Sequence, residues 1–346
     1  VTHWLMGDGE RFKSWRTAER ALAFLAASSV ERSDVVVALG GGVVGDLAGF
    51  AAALYLRGVA FVQAPTTLLS QIDSSVGGKT GVNTADGKNL VGAFHQPRAV
   101  VVDTDTLRTL PQRELTAGWC EAVKQGAAGD RRLFEETVRF LEDEGARRQS
   151  RKGETNDERA ARKRSRERAD PGPGLSDDPR EARLARLVAA QCAFKARIVA
   201  GDEREDVSRT DARSRRILNF GHTVGHALEA VTNFRRFRHG EAVGYGMLAA
   251  GEISVRLGLL ERSELELLRR AVGLTGRLPP AAGLDEDAVL GALSADKKAV
   301  AGRVRWVLLE RIGRARIVDG REVAPRVVRA SLRAALRRAP HGQEAD

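Results

Sequence analysis

Three of the chain's six histidines fall within eighteen residues, in Asn219-Phe220-Gly221-His222-Thr223-Val224-Gly225-His226 and in His239-Gly240-Glu241. His222 and His226 are four apart, which puts both on one face of a helix. Two such histidines and a third ligand suit a zinc ion that keeps one coordination position open, as catalytic zinc does. A purely structural histidine pair is the competing reading. Glu121 and Lys124 lie three apart on a second helical pattern. They either pair at the surface, or the carboxylate completes a two-histidine metal shell. Lys195, the run Asp202-Glu203-Arg204-Glu205, and Arg215 leading into Asn219 add cations close to the histidines in sequence. Lysines and arginines converging on a metal would grip a carboxylate or a phosphate.

Two glycine-rich stretches add anion chemistry. Gly40-Gly41-Gly42-Val43-Val44-Gly45-Asp46 contains GxGxxG between a strand pattern and a helix pattern. Glycines there let a backbone approach a pyrophosphate, and the helix N-terminus favours the negative charge. No acid follows about twenty residues on to take ribose hydroxyls, so the usual dinucleotide pattern is incomplete and a plain strand–helix turn competes. In Asp73-Ser74-Ser75-Val76-Gly77-Gly78-Lys79-Thr80-Gly81, the Gly-Lys-Thr echoes a phosphate loop. Asp73 stands where that loop's first glycine would be, which excludes a nucleotide triphosphatase. Two glycines beside Lys79, followed by Gly87-Lys88-Asn89, still suit an anionic ligand.

These residues need elements to hold them. Residues 35–39, 59–63 and 99–103 are short apolar runs that read as buried parallel strands, and 43–56 reads as an alanine-rich helix. Strand, helix and strand in this order point to a right-handed α/β unit. After Pro111 helical patterns dominate, at 114–127, 132–144, 181–200, 221–231, 241–257 and 262–272, with strand patterns returning only at 304–309 and 315–318. The expected organisation is an α/β domain over 1–110 and a mainly helical domain over 111–346. Between them, 145–180 is rich in Arg, Glu, Ser, Gly and Pro. It reads as a charged insertion too poor in apolar residues to fold by itself.

The formal net charge of +10 hints at nucleic acid. Residues 147–168 alone hold ten Lys/Arg against four acids, so the charge is mostly local. An arm at 145–180 binding an anionic partner is the alternative to a solvated insertion. Two cysteines do not make a disulfide framework. No apolar run reaches membrane-spanning length, and Val1-Thr2-His3-Trp4 has no secretion-signal pattern. These features together point to the cytoplasm.

Together the motifs resemble the 3-dehydroquinate synthases, of the sugar phosphate cyclase family. The resemblance runs from about Gly7 to the C-terminus, outside 145–180. It rests on residues 40–47, 65–71 (Pro-Thr-Thr-Leu-Leu-Ser-Gln), 73–79, 87–89 and 218–227 (Leu-Asn-Phe-Gly-His-Thr-Val-Gly-His-Ala). It implies a dehydroquinate synthase-like fold, with an NAD-binding parallel sheet before a helical metal domain. It implies a lyase of the shikimate pathway, which leads to the aromatic amino acids. That enzyme converts 3-deoxy-D-arabino-heptulosonate 7-phosphate (DAHP) to 3-dehydroquinate and phosphate. The implied course is transient oxidation by NAD, phosphate elimination, reduction and aldol ring closure.

The resemblance also assigns residues. Glu121, His222 and His239 would hold a divalent metal, zinc or alternatively cobalt, while His226 moves from metal binding to proton transfer near the phosphate. NAD would lie on Glu10, Lys13, Gly40, Gly41, Gly42, Asp46, Thr66, Thr67 and Lys88. Asp73, Lys79, Asn89, Lys124, Lys195, Arg215, Asn219 and Lys297 would hold substrate. Arg57 would reach the other subunit of a homodimer. Glu205, with Lys79 and Lys124, would share in catalysis. The zinc would act as a Lewis acid on the hydroxyl being oxidised.

The chain departs from the family in two places. Its start implies that strands on the order of 60 residues, about two βαβ units, are missing, leaving an apolar sheet edge exposed. The interval Asp206–Ser214 is also longer than usual. The alternatives are another sugar phosphate cyclase, a metal-dependent polyol dehydrogenase of the same fold, or a shortened inactive homologue. The Asp-Ser-Ser-Val-Gly-Gly-Lys stretch favours dehydroquinate synthase.

Overall fold

The computed structural model describes residues 1–85, 87–152, 178–299 and 304–337, without the side chains of 151–152 and 294–299. The first half is built on a parallel sheet. Strand β1 (Val35–Gly40) pairs with β2 (Ala60–Pro65), which pairs with β5 (Ala99–Val100). Helix α2 (Gly42–Leu54) makes the crossover between β1 and β2. It is apolar along most of its length, and Leu47, Phe50, Ala51 and Ala52 are buried. The strand–helix–strand unit expected from the apolar runs is present.

β5 is shorter than the expected 99–103. Beyond it the Val101 N–H still bonds the Gln63 carbonyl, and the Asp103 side chain accepts the Asp105 N–H at 2.8 Å and starts the 3-10 turn Thr104–Arg108. No described strand pairs with the outer edge of β1. Val35, Val37 and Leu39, alternate residues on one face, are exposed, so β1 is covered on one face only and is not the buried strand expected.

Helix α1 (Trp15–Ala27), which the apolar pattern did not single out, starts at Ser14, whose hydroxyl accepts the Thr17 N–H. Of the glycine-rich stretch 73–81, Asp73 and Ser74 end a helical turn, and from Lys79 the chain enters a hairpin that also holds 87–89. Strand β3 (Lys79–Thr84) pairs antiparallel with β4 (Gly87–Phe94) and packs on α2. Gly81 and Gly92 face each other across it. A methyl group on Gly92 would come 2.1 Å from the Thr80 carbonyl oxygen.

The second half is mainly helical: α3 (Gln112–Gly129), α4 (Arg131–Lys152), α5 (Pro179–Gly201), α6 (His222–Val231), α7 (His239–Arg256), α8 (Arg262–Leu274), α9 (Glu286–Ala299) and α10 (Pro325–Arg337). The hairpin β6 (Arg305–Arg311) with β7 (Arg314–Asp319) lies between α9 and α10 in sequence. One large apolar cluster joins these elements, and α7 runs through it, buried from Gly240 to Ser254. The polar segment expected to be a loose insertion is helical at both ends, because α4 runs on to Lys152 and α5 begins at Pro179. Asp178 caps α5, and Arg180 ties its first turn to Glu144 of α4 through two hydrogen bonds of 2.6 and 2.7 Å. Residues 153–177, the rest of the expected insertion, lie outside the described residues. No described helix is long and apolar enough to cross a membrane.

Candidate metal and anion site

Three helices converge because glycines let their backbones touch. Gly221 caps α6 in the left-handed region, with φ 79°, and a methyl group there would lie 2.8 Å from the Met247 nitrogen of α7. A methyl group on Gly240 would lie 1.9 Å from the Ala117 carbonyl oxygen of α3. His222 and His239 are the first residues of α6 and α7, so these contacts carry them to Glu121 on α3. The start of α7 is fixed a second way. Arg113 of α3 donates twice to the buried Glu241, at 2.7 and 2.8 Å, and Glu241 accepts the Arg238 N–H.

The resulting cluster is tight. His239 Nε2 lies 3.3 Å from His222 Nε2 and 3.5 Å from Glu121 Oε1, and His222 Nε2 lies 4.0 Å from the same oxygen. His226 joins the group: one nitrogen from each of the three histidines falls within 4.8 Å of the others. Geometry therefore admits both the helix-face pair with His226 and the Glu121 set. The two sets differ in burial. Glu121 is fully buried, and its oxygens accept no hydrogen bond of good geometry from the described residues, whereas His226 is exposed. Burial, with Lys124 and the other two histidines nearby, holds the His222 pKa well below its usual value. The ring is then neutral, as a metal ligand must be.

Glu121 and Lys124 do pair, but in the interior rather than at the surface. Lys124 Nζ lies 2.6 Å from Glu121 Oε2 and 4.0 Å from Asp73 Oδ1, with both Lys124 and Glu121 shut off from solvent. Burial disfavours the Lys124 ammonium, yet Asp73 and Glu121 outweigh it and its pKa is raised. Lys195 Nζ sits 2.6 Å from Asp73 Oδ1 and also donates to the Asp73 carbonyl. Burial works against the Asp73 carboxylate, but Lys124 and Lys195 prevail and hold its pKa far below the carboxylate range. Gln125 fixes this turn by donating to the Ile72 carbonyl at 2.9 Å.

A third group adjoins it. Lys79 is ion-paired with Glu205, and Asn219 donates to Glu205 at 2.9 Å. Arg215 donates to the Glu203 carbonyl at 2.7 Å, and a methyl group on Gly77 would strike its guanidinium. The long interval after Glu205 is held by Asp202. That carboxylate accepts from the backbone of Asp206 at 2.8 Å and of Arg215 at 2.8 Å, and from the Ser214 hydroxyl.

The glycine turn forms as expected, with Gly41 capping α2. Methyl groups on Gly41 and Gly42 would crowd Thr67 at 3.1 Å and Ser74 at 2.9 Å. The Thr66 N–H bonds to the Gly40 carbonyl. Lys13 pairs with Asp46, whose pKa burial raises despite that partner. Glu10 accepts from the Asn83 side-chain amide, whose Oδ1 accepts the Asn89 N–H. Lys88 points elsewhere: its ammonium is 3.1 Å from Glu229 and lies over the Phe234 ring. Arg57 is exposed on a turn with φ 65°. The Lys297 side chain lies outside the described residues.

Sequence reasoning missed Glu229, Gln125 and Asn83, and it placed Asp202 in a charged run without its role of holding the segment to Arg215. Only Glu229 had a readable signal. It stands seven residues after His222 and three after His226, on the same helical stripe.

Comparison with known proteins fits this arrangement. Residues 3–117 match the model of the 3-dehydroquinate synthase N-terminal domain, and 173–299 match that of the C-terminal domain. A 3-dehydroquinate synthase of Halorhodospira halophila is 46% identical over 94% of this chain and 80% of that protein. One from a Synechococcus strain is 43% identical over 90% of this chain and 75% of that protein. Among solved structures, 2-epi-5-epi-valiolone synthase of Streptomyces hygroscopicus, with NAD+ and Zn2+ bound, superimposes with a TM-score of 0.75. It is 27% identical, over 95% of this chain and 81% of that one.

Proposed function

The chain belongs to the 3-dehydroquinate synthase family, and on that premise we propose how its residues divide the work. The protein converts DAHP to 3-dehydroquinate and phosphate. Its cofactors are NAD and a divalent metal, zinc or cobalt, in keeping with the NAD+ and Zn2+ of the valiolone synthase.

The observation that carries this reading is the buried Glu121 carboxylate. It has two imidazole nitrogens within 4.0 Å of one oxygen, and Lys124 pairs with the other oxygen from behind. One carboxylate oxygen and two imidazole nitrogens gathered at one point are the donor set of a divalent metal, so the residues fit one. Glu121, His222 and His239 would hold it, and it would supply Lewis-acid polarisation of the substrate hydroxyl being oxidised. Gly41 and Gly42 keep the α2 N-terminus bare of side chains, which fits a pyrophosphate there. Glu10, Lys13, Gly40, Asp46, Thr66 and Thr67 would complete the NAD site, whereas Lys88, expected there, is turned to Glu229 instead, and NAD would supply a reversible hydride acceptor.

The chain's own groups do the rest. Asp73, pinned by Lys195 and Lys124, stays ionised and accepts substrate hydroxyls. Lys79, Arg215 and Lys195, with Asn89, Asn219 and Lys297, clamp the phosphate and the carboxylate, which orients the substrate. The exposed His226 exchanges a proton beside the departing phosphate, and Glu205, held by Asn219, supports that exchange. A neutral polyol would need no such clamp, which disfavours a polyol dehydrogenase. Arg57, exposed on its strained turn, would reach the partner's site in a homodimer.

The test is phosphate release from DAHP by purified protein loaded with NAD and zinc or cobalt. Release without net NADH accumulation is the expected result. No release under full loading would refute the reading.

A further inference from the structure

Glu229 is a buried carboxylate to which the proposed mechanism gives no role. Glu229 lies near the end of α6, 3% exposed, and accepts hydrogen bonds on both oxygens. Oε2 is 3.1 Å from His239 Nδ1, and Oε1 is 3.1 Å from Lys88 Nζ. The other nitrogen of His239 faces Glu121 and His222. Lys88 comes from β4 in the α/β half, and the Phe234 ring, 4.2 Å from its ammonium, holds it over the end of α6.

We propose that Glu229 is a positioning residue for the metal centre: it fixes the ring of His239 through Nδ1 and ties that ring to Lys88. The inference rests on the proposed metal site. An imidazole whose Nδ1–H is committed to a carboxylate presents its Nε2 lone pair in one direction, and the carboxylate makes that nitrogen more basic. One residue thus sets the tautomer, orientation and donor strength of a ligand. It also links the metal ligand to the Gly-Lys-Asn hairpin, so a shift of Lys88 is felt at His239.

The experiment is cobalt(II) titration of metal-free protein against a chromophoric chelator, without substrate, in the wild type, Glu229→Ala and Glu229→Gln. Far-UV circular dichroism monitors the fold, and visible absorption monitors the cobalt environment. The alanine variant is expected to bind cobalt roughly 10–100-fold more weakly. The glutamine variant keeps an acceptor for Nδ1 without the charge. It should fall between the two and shift the visible bands at saturating cobalt. Affinities within about twofold of wild type in both variants, with unshifted bands, would overturn the role, since outer-shell partners act at the tenfold scale or above. Weaker binding accompanied by lost circular dichroism in both variants would also overturn it, by making Glu229 a support of the fold. A wild type that binds no cobalt would instead remove the metal centre itself.

Discussion

The ammonium of Lys124 lies 2.6 Å from the carboxylate of Glu121, three residues earlier on the same helix, and neither side chain reaches solvent. Lys124 also faces Asp73 at 4.0 Å. One buried cation therefore stands between a proposed metal ligand and a proposed substrate ligand. For Asp73 that arrangement, with Lys195, holds the pKa far below the carboxylate range despite burial.

The ligand set is separable by substitution. Glu121→Ala, His222→Ala and His239→Ala should each lose bound metal. His226→Ala should keep metal while phosphate release falls by about 10²–10⁴, the usual worth of a proton-transfer group. Metal analysis beside the activity assay checks this. Loss of metal in His226→Ala would instead favour the three-histidine set that the geometry also admits.

Asp73 should make stability depend on pH in one direction. Its folded pKa is depressed by Lys124 and Lys195, against the pull of burial. Its contribution is therefore complete above the unfolded carboxylate pKa of about 3.9 and declines as pH falls below it. Asp73→Asn should be less stable than wild type at neutral pH, and the gap should narrow below about pH 4. Urea melts at several pH values measure it, and a constant gap would contradict the assignment.

Gly240→Ala should be damaging despite its small size. The added methyl group meets the Ala117 carbonyl at 1.9 Å, and a backbone atom cannot swing away as a side chain can. A cost of about 1–3 kcal/mol or more is expected from such overpacking. Metal affinity should fall with it, because His239 is the neighbouring residue. Thermal melts and cobalt titration test the two effects together.

Asp202→Ala should free the segment between Glu205 and Arg215. Three hydrogen bonds converge on that carboxylate. Their loss should cost about 1–3 kcal/mol in stability. KM for DAHP should rise more than kcat falls, since the substrate clamp loosens while the metal cluster stays. An unchanged KM would show that the segment holds itself.

Some of this was legible along the chain. The apolar runs at 35–39 and 59–63 and the glycines between them specify a parallel α/β unit through local preferences alone. The four-residue spacing of His222 and His226 specifies a shared helical face, and the motif order carries the family. The hairpin at 79–94 was not legible. Its glycines and lysines read as a loop, and only cross-strand closeness at Gly81 and Gly92 shows why glycine is needed.

What the sequence by itself determined is the inventory: which groups bear charge, which can bind metal, and which stretches turn or coil. Tertiary structure decided which groups meet and which lose their water. Glu121 and Lys124 have one spacing whether they pair at a surface or in a core. Only tertiary packing, such as that of α3 against α7, makes the pair a buried one, because solvent exclusion depends on contacts between residues more than a hundred positions apart. Asp202 and Glu229 gain their roles in the same way, from partners that only the fold brings within hydrogen-bond reach.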